Sequence, residues 1–302
     1  MARGPAAIAL VTAREARETD ADLPPLFAAL TRAGAAVRVV EWDDASTQWS
    51  HFDLALLRST WDYSMRLPEF LSWAEQTSAS THLLNPLPMV RWNTDKHYLG
   101  ELMQADVRTV PTTFVEPGDS ASQAVNEFLV QHASTDFVVK PAVSSGARDA
   151  QRYGRRELAA AVEHVKRLLD DNRSVVLQPY LDRVDADGET ALIYFGGTFS
   201  HAIRKGPLLR RGEGPTRELF AAEEIAARVP KLDELRTGER ALGAIPFATP
   251  LYARVDLIRD ADAAPCVLEL ELTEPSLYFA YAAGSAERFA ALVLNYPVNG
   301  GA

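Results

Sequence analysis

One cysteine in 302 residues, Cys266, excludes a disulfide within the chain. No apolar stretch approaches the roughly 20 residues needed to span a membrane. The apolar core near the N-terminus is too short for a signal peptide and the sequence soon turns acidic. The cytoplasm is therefore the expected compartment. No basic stripe is visible: 31 Lys and Arg stand against 41 Asp and Glu, a net charge of −10. That balance argues against a nucleic-acid partner. It leaves nucleotide binding open, because a few local cations suffice for phosphates. The common phosphate loops, G-x-x-x-x-G-K-[ST] and G-x-G-x-x-G, are missing. The six histidines show neither HExxH nor any paired spacing, so a zinc site is not expected. No internal repeat or low-complexity linker interrupts the chain. With no base partner in sequence, Cys266 reads as a small buried hydrophobe.

What is present is an alternation of short apolar runs with amphipathic stretches. Ala6–Thr12 is a continuous apolar run, as expected for a strand covered on both faces. Pro24–Ala33 carries Leu26, Phe27, Leu30 and Ala33 at helical spacing, with Gly34 as its stop. Ala36–Trp42 and Phe52–Arg58 are further strands and Pro68–Ala79 a helix, which together make an open α/β layer over 1–92. Its third strand ends in Arg58-Ser59-Thr60-Trp61-Asp62-Tyr63. Ligands of open α/β sheets sit beyond the carboxyl ends of strands, so this cluster is placed for substrate contact. The alternative is that its aromatic rings simply pack under the next helix.

A second layer is expected over 93–185. Asn93-Thr94-Asp95-Lys96 opens a helix to about Ala105, with Thr94 as cap and Lys96 in the first turn. A cation there opposes the helix dipole, so Lys96 is either solvated or answering a nearby anion. Val110–Val115 is a strand and Ala121–His132 a helix. Phe137–Ala142 places Lys140 among apolar neighbours, and Ser144-Ser145-Gly146 follows as a small-residue loop able to approach an anion closely. Arg155–Asp170 is an amphipathic helix and Val175–Leu181 a strand.

The third block, 186–302, holds two hairpins. Gly188–Lys205 turns at Gly196–Gly197, with Glu189 opening one strand and Arg204 and Lys205 closing the other. The Gly- and Arg-rich stretch Leu208–Pro215 is a loop, Lys231–Leu242 a helix, and Ser285–Asn295 a last helix capped by Ser285. Between these helices lies the most informative stretch, Leu251–Phe279. Side chains two apart on a strand share a face. Arg254 and Asp256 therefore lie together, as do Glu269 and Glu271. If the strands pair, three carboxylates and a guanidinium converge, an arrangement that packing does not favour. A divalent cation would justify it, since Mg²⁺ is held by one or two carboxylates plus substrate phosphates. A solvated edge hairpin is the bland alternative.

The ordered set Lys96, Lys140 with its small-residue loop, Gln178-Pro-Tyr-Leu, Glu189, Arg204-Lys205, Arg254-Val-Asp256 and Glu269-x-Glu271 resembles the ATP-grasp superfamily. The branch is that of glutathione synthetase and D-alanine–D-alanine ligase. The resemblance spans about Asn93 to Phe279 and implies an α/β (α+β) ATP-grasp fold behind an N-terminal pre-ATP-grasp domain. It implies ATP and Mg²⁺ as cofactors. Lys96 and Lys140 would contact phosphates and the adenine edge, and Ser144, Ser145 and Gly146 would form a flap. Gln178, Tyr180 and Leu181 would read adenine, with Asp182 or Asp185 on the ribose and Glu189 in the same nucleotide set. Arg204, Lys205 and Arg254 would meet the transferred phosphate, and Asp256, Glu269 and Glu271 would hold the metal. The usual Glu-x-Asn ending is Glu-x-Glu here, and Pro275 falls four residues after Glu271, which leaves Glu274 as an alternative ligand.

The resemblance implies an ATP-dependent ligase that phosphorylates a carboxylate, so that a nitrogen can displace phosphate. The STWDY segment and LELELTEPSLYF are similar to the D-cycloserine synthetase subgroup, which cyclises O-ureido-D-serine with loss of its carbamoyl group. Arg58, Ser59, Thr60, Asp62, Arg14, Glu274 and Ser276 are the candidates for holding such a zwitterion. The alternatives are an intermolecular amino acid or dipeptide ligase, or a nucleotide-binding regulatory protein without turnover. A homodimer is expected only by resemblance.

Overall fold

The computed structural model describes residues 5–212, 214 and 224–297. Residues 1–4 and, in the Gly- and Arg-rich loop, Glu213 and Pro215 lie outside the described residues. Three sheets carry the site. The first contains β1 (Ala7–Thr12), β2 (Ala36–Glu41), β3 (Leu54–Ser59) and β4 (His82–Leu84), all parallel in the order β2-β1-β3-β4. The second contains β5 (Thr113–Val115), β6 (Asp136–Pro141), β7 (Gln151–Gly154) and β8 (Val175–Pro179), antiparallel in the order β5-β8-β6-β7. The third contains β9 (Glu189–Phe195), β10 (Thr198–Lys205), β11 (Ile225–Arg228), β12 (Tyr252–Arg259) and β13 (Pro265–Glu271), antiparallel in the order β11-β10-β9-β12-β13.

The apolar runs of β1 and β3 divide by the two-residue period of a strand. Ile8, Leu10, Leu54 and Leu56 join one core with Ile193, Ile203, Tyr252 and Phe289. Ala9, Val11, Ala55 and Leu57 join another with Phe70 and Trp61. The third sheet is divided likewise: Ala191 and Ile193 face the first sheet, whereas Leu192 and Tyr194 face the core built with Tyr98 and Leu102. The second sheet has its own core, with Val165 and Leu168 of the helix Leu158–Asp170 packed on Phe137 and Leu177.

Buried polar side chains lock the first and third sheets together. Asn85 donates to the Tyr252 and Leu272 carbonyls at 3.0 and 2.7 Å and accepts the Leu251 amide at 2.7 Å. The Tyr252 hydroxyl lies against the Leu84 and Thr273 carbonyls and accepts the Asn85 amide.

Three local expectations need correction. Asn93–Lys96 does not open a helix: one helix ends at Asn93, the next runs Tyr98–Gln104, and Lys96 lies in the turn between them. Asn93 is diverted to pair with the Leu270 carbonyl and the Leu272 amide. Thr94 bonds the Arg91 carbonyl rather than capping anything. Ser285 is the first residue of the last helix rather than its cap, which is Gly284. The edge strand β11 had no expected counterpart, because its Ala-rich sequence carries little strand signal. Cys266 is buried as expected. Among the described residues no helix is long and apolar enough to cross a membrane.

Asn85→Ala would leave two carbonyls and one amide without partners, each costing about 1–3 kcal/mol. Urea unfolding of this variant is expected to show a loss of at least about 3 kcal/mol; a loss below about 1 kcal/mol would show that the sheets do not depend on this residue.

Candidate active site

The pairing of β12 with β13 sets Arg254 opposite Glu271 and Asp256 opposite Glu269. The same faces of β9 and β10 add Glu189 and Lys205, which are cross-strand partners. This face is apolar where it meets the first sheet, at Tyr252, Ile193 and Ala191, and becomes charged at the next position of that face on each strand, Arg254 on β12 and Glu189 on β9. Gly188, immediately before Glu189, has φ +71°, and a Cβ there would sit 2.6 Å from both the Arg204 side chain and the Lys205 carbonyl. Only glycine lets the chain enter β9 with Glu189 in place.

A cavity of about 290 Å³ lies between the second and third sheets. One end is apolar, lined by Val110, Val138, Leu181, Ile258 and Leu268, with Gln178 and Tyr180 beside them. The other end gathers the cations Lys96, Lys140, Lys205 and Arg254 and the carboxylates Glu189, Asp256, Glu269, Glu271 and Glu274. Ser144, Ser145 and Gly146 line it from the loop after β6, and Ser276 from the chain after β13. The cavity brings together most of the residues expected for nucleotide and metal, though not Asp182 or Asp185.

Charges this deep must be paired. Asp256 accepts from Arg254 Nε and Nη2 at 2.8 Å each and from Lys205 Nζ at 2.8 Å. Burial would raise its pKa, but Arg254 and Lys205 together hold it well below the usual carboxylate range. Arg254 also bonds Glu271. Lys96 Nζ reaches Glu269 at 2.9 Å and the Ser144 hydroxyl and carbonyl at 3.0 and 3.1 Å. Burial pushes Glu269 up, yet Lys96 and Lys140 outweigh it and keep the carboxyl ionised. Lys205 also meets Glu189 closely, though without hydrogen-bond alignment. Lys140 differs from the other three cations: it closes no ion pair among the described residues, and burial lowers it to about 8.

Three carboxylates are under-compensated. Burial raises Glu189 to about 8 and Glu271 to about 7. Glu274, hydrogen-bonded by Tyr63, is raised to about 8 by burial and then by Glu271. Held up in this way, Glu189, Glu271 and Glu274 keep protons near neutral pH that a bound cation would displace. Among the described residues no three His, Cys, Asp or Glu side chains gather closely enough to cage an ion. Mg²⁺ requires only one or two carboxylates when phosphates supply the rest. This hard-oxygen, electron-rich donor set fits such an ion.

Several expected residues lie elsewhere. Arg204 points to the opposite side of β10 from Lys205, as strand alternation demands, and bonds the Asp187 and Ala186 carbonyls. Asp182 and Asp185 are outside the cavity lining and surround Arg152, whose guanidinium stacks 3.4 Å above the Tyr180 ring. Arg58 is fully buried beneath the cavity, donating to the Pro275 carbonyl. Ser59 pairs with Thr12, and Thr60 is buried away from the cavity. Asp62 accepts from Trp42 and Arg66, and Arg14 is a solvent-exposed residue near Glu41. Of the Arg58–Tyr63 cluster it is the rings of Trp61 and Tyr63 that reach the cavity. Asn93 and Tyr278 also line it. Neither was expected, although Tyr278 continues the alternation of Glu274 and Ser276.

The fold and this charged cleft define an ATP-grasp ligase. Residues 8–85 match the family model described as the N-terminal domain of D-cycloserine synthetase DcsG. The chain is 40% identical over 289 residues to cycloserine biosynthesis protein DcsG of Streptomyces lavendulae, covering 94% of this chain and 96% of that protein. It belongs to this D-cycloserine synthetase family. The crystal structure of D-cycloserine synthetase DcsG superposes with a TM-score of 0.90 at 39% identity, covering 95% and 98% of the two chains. The ATP-grasp ligase PsnB, in a structure complexed with its minimal precursor, Mg and ADP, shares the fold with a TM-score of 0.64 at 17% identity, covering 97% and 98%.

A carboxyl raised from 4.5 to about 8 binds a proton in the folded chain that the unfolded chain has released. Its contribution to stability is present below pH 4.5 and is lost as pH rises through 8. In metal-free, nucleotide-free protein, Glu274→Gln should stabilise increasingly from pH 5 to pH 8. The gain at pH 8 should be on the order of 2 kcal/mol or more, one pKa unit being about 1.4 kcal/mol. A difference that is flat with pH would show Glu274 to be ionised throughout.

Proposed function

We propose that this chain uses ATP to activate the carboxylate of O-ureido-D-serine and closes it to D-cycloserine with loss of the carbamoyl group. The observation that carries this reading is the near-full-length likeness to cycloserine biosynthesis protein DcsG, joined to a cleft whose two ends suit two different ligands. The apolar end suits adenine, with the chain at Gln178–Leu181 beside it. Lys140, unpaired among the described residues, and Lys96 suit the phosphates, under the Ser144–Gly146 loop. Arg254 offers a positive charge to a zwitterion's carboxylate, and Glu274 near Ser276 a carboxyl that an approaching ammonium would ionise.

A carboxylate is a poor electrophile because oxide would have to leave. Transfer of the γ-phosphoryl group of ATP to it gives ADP and an acyl phosphate. The ureido nitrogen bonded to oxygen in the same molecule then attacks the acyl carbon and loses its proton, and phosphate departs with its bonding electrons. One water cleaves the bond from that nitrogen to the carbamoyl carbon, and the carbamoyl group leaves as carbamate, which yields carbon dioxide and ammonia. The chain's part is positioning and charge. Lys205 and Arg254, oriented by Asp256, face the transferred group; Lys140 steadies the polyphosphate. Glu269 and Glu271, with Asp256 behind them, are the residues that would hold Mg²⁺, which when bound neutralises charge on the moving phosphoryl group. Trp61, Tyr63 and Tyr278 wall the cavity against water, which would otherwise hydrolyse the acyl phosphate.

ADP release with Mg²⁺, ATP and O-ureido-D-serine as sole co-substrate, with mass detection of the product, tests this. ADP with a cyclised product lacking the carbamoyl group is the expected result. ADP only when a second amine is supplied would replace this reading with an intermolecular ligase. No ADP under either condition would favour a regulatory nucleotide-binding protein.

Lys140→Met is expected to lower the rate by at least about 100-fold, the usual scale for losing one pre-placed charge donor. Its unfolding midpoint should not fall, because an unpaired buried ammonium gives way to an apolar chain of similar length. A rate within threefold of the wild type would remove Lys140 from the site.

A further inference from the structure

Asp22 occupies the N-cap position of the helix Leu23–Arg32, yet its side chain makes no bond to that helix. An aspartate there ordinarily accepts an amide of its own first turn. Instead its carboxylate crosses to the far end of the chain. Oδ2 accepts the amides of Leu277 and Tyr278 at 2.6 and 2.9 Å, and Oδ1 accepts that of Phe279 at 2.9 Å. Asp22 is 4% exposed. Neighbours from the same layer grip the same segment: Arg58 donates to the Pro275 carbonyl at 3.1 Å, and Trp61 Nε1 to the Glu274 carbonyl at 3.1 Å.

The held segment, 274–279, alternates. Glu274, Ser276 and Tyr278 line the cavity, while Leu277 is fully buried. Tyr278 sits at φ 53°, a left-handed conformation that an L residue adopts only when its surroundings impose it. Three successive amides converging on one carboxylate supply that constraint.

We propose that Asp22 is a positioning residue: by holding the main chain of 277–279 it aims Ser276 and Tyr278 into the cleft and so sets recognition of the amino-acid substrate, not of the nucleotide. The substrate part rests on the cyclo-ligase reading above; the tether does not.

The test compares wild type, Asp22→Asn and Asp22→Ala. Hydrogen exchange of peptides spanning 273–281 reads the tether. The KM for O-ureido-D-serine and the Kd for Mg²⁺·ADP read its consequence. Exchange at 277–279 should quicken at least tenfold in Asp22→Ala and less in Asp22→Asn. The substrate KM should rise at least tenfold, while the Kd for Mg²⁺·ADP stays within twofold. Unchanged exchange in a folded variant overturns the proposal, as does a substrate KM that is unchanged or moves in proportion to the nucleotide Kd. Should Asp22→Ala not fold, the isosteric Asp22→Asn decides: quickened exchange with a raised substrate KM and an unchanged Kd for Mg²⁺·ADP supports the tether, and unchanged exchange or an unchanged KM overturns it. Should the wild type turn over no O-ureido-D-serine, the substrate reading fails by itself and exchange alone decides the tether.

Discussion

The site depends on the register between β12 and β13. That pairing sets two carboxylates of one strand against a guanidinium and a carboxylate of the other, in a cleft where Arg254 and Asp256 are buried and Glu269 and Glu271 are half-buried. Like charges directly opposite each other destabilise a sheet, and Asp256 faces Glu269. The arrangement persists because three cations answer it: Arg254 on the same strand as Asp256, Lys205 from β10 and Lys96 from the turn before Tyr98. Removing one partner of such a set leaves a buried charge uncompensated, which costs more than the pair itself contributes. Glu271, which burial pushes up to about 7, is the carboxyl of this pairing that a phosphate-borne cation would ionise.

The first sheet acts on this cleft through main-chain contacts as well as side chains. Asn85 and the Tyr252 hydroxyl join the carboxyl ends of β3 and β4 to the start of β12 and the end of β13. Asp22, Arg58 and Trp61 then take up the chain that follows β13. The wall that carries Glu274, Ser276 and Tyr278 is therefore a segment late in the chain held in shape by the first sheet. The opposite wall is built separately, from the second sheet and its Lys140.

Much of the site was legible because strand alternation and family order are both local signals. Lys140, Glu269, Glu271, Asp256 and Arg254 could be placed from two-residue spacing and from the ordered motif, and one cavity contains them. Arg204 shows the limit of the motif: the same alternation that turns Lys205 inward turns Arg204 out, and taking the pair together ignored it. Arg58 and Asp62 failed for another reason. Their strand end is indeed at the cleft, but a charged side chain there can equally be spent on structure, and which it is depends on partners such as Pro275 and Trp42 that are remote in sequence. Asp22 could not have been found at all: its sequence context is that of an ordinary helix cap, and its three partners lie at 277–279. Asn93 was hidden in the same way, behind a plausible capping pattern.

On the proposed reading, Glu269 and Glu271 of β13 and the unpaired Lys140 are two sides of one phosphate and metal site. Crystals grown with ADP and Mn²⁺, which shares the oxygen-ligand preference of Mg²⁺, would test it most directly by anomalous diffraction at the manganese edge. The expected result is an anomalous peak against Glu269 and Glu271, with the ADP phosphates beside Lys140. A peak away from both glutamates, or ADP bound outside the cleft, would contradict it.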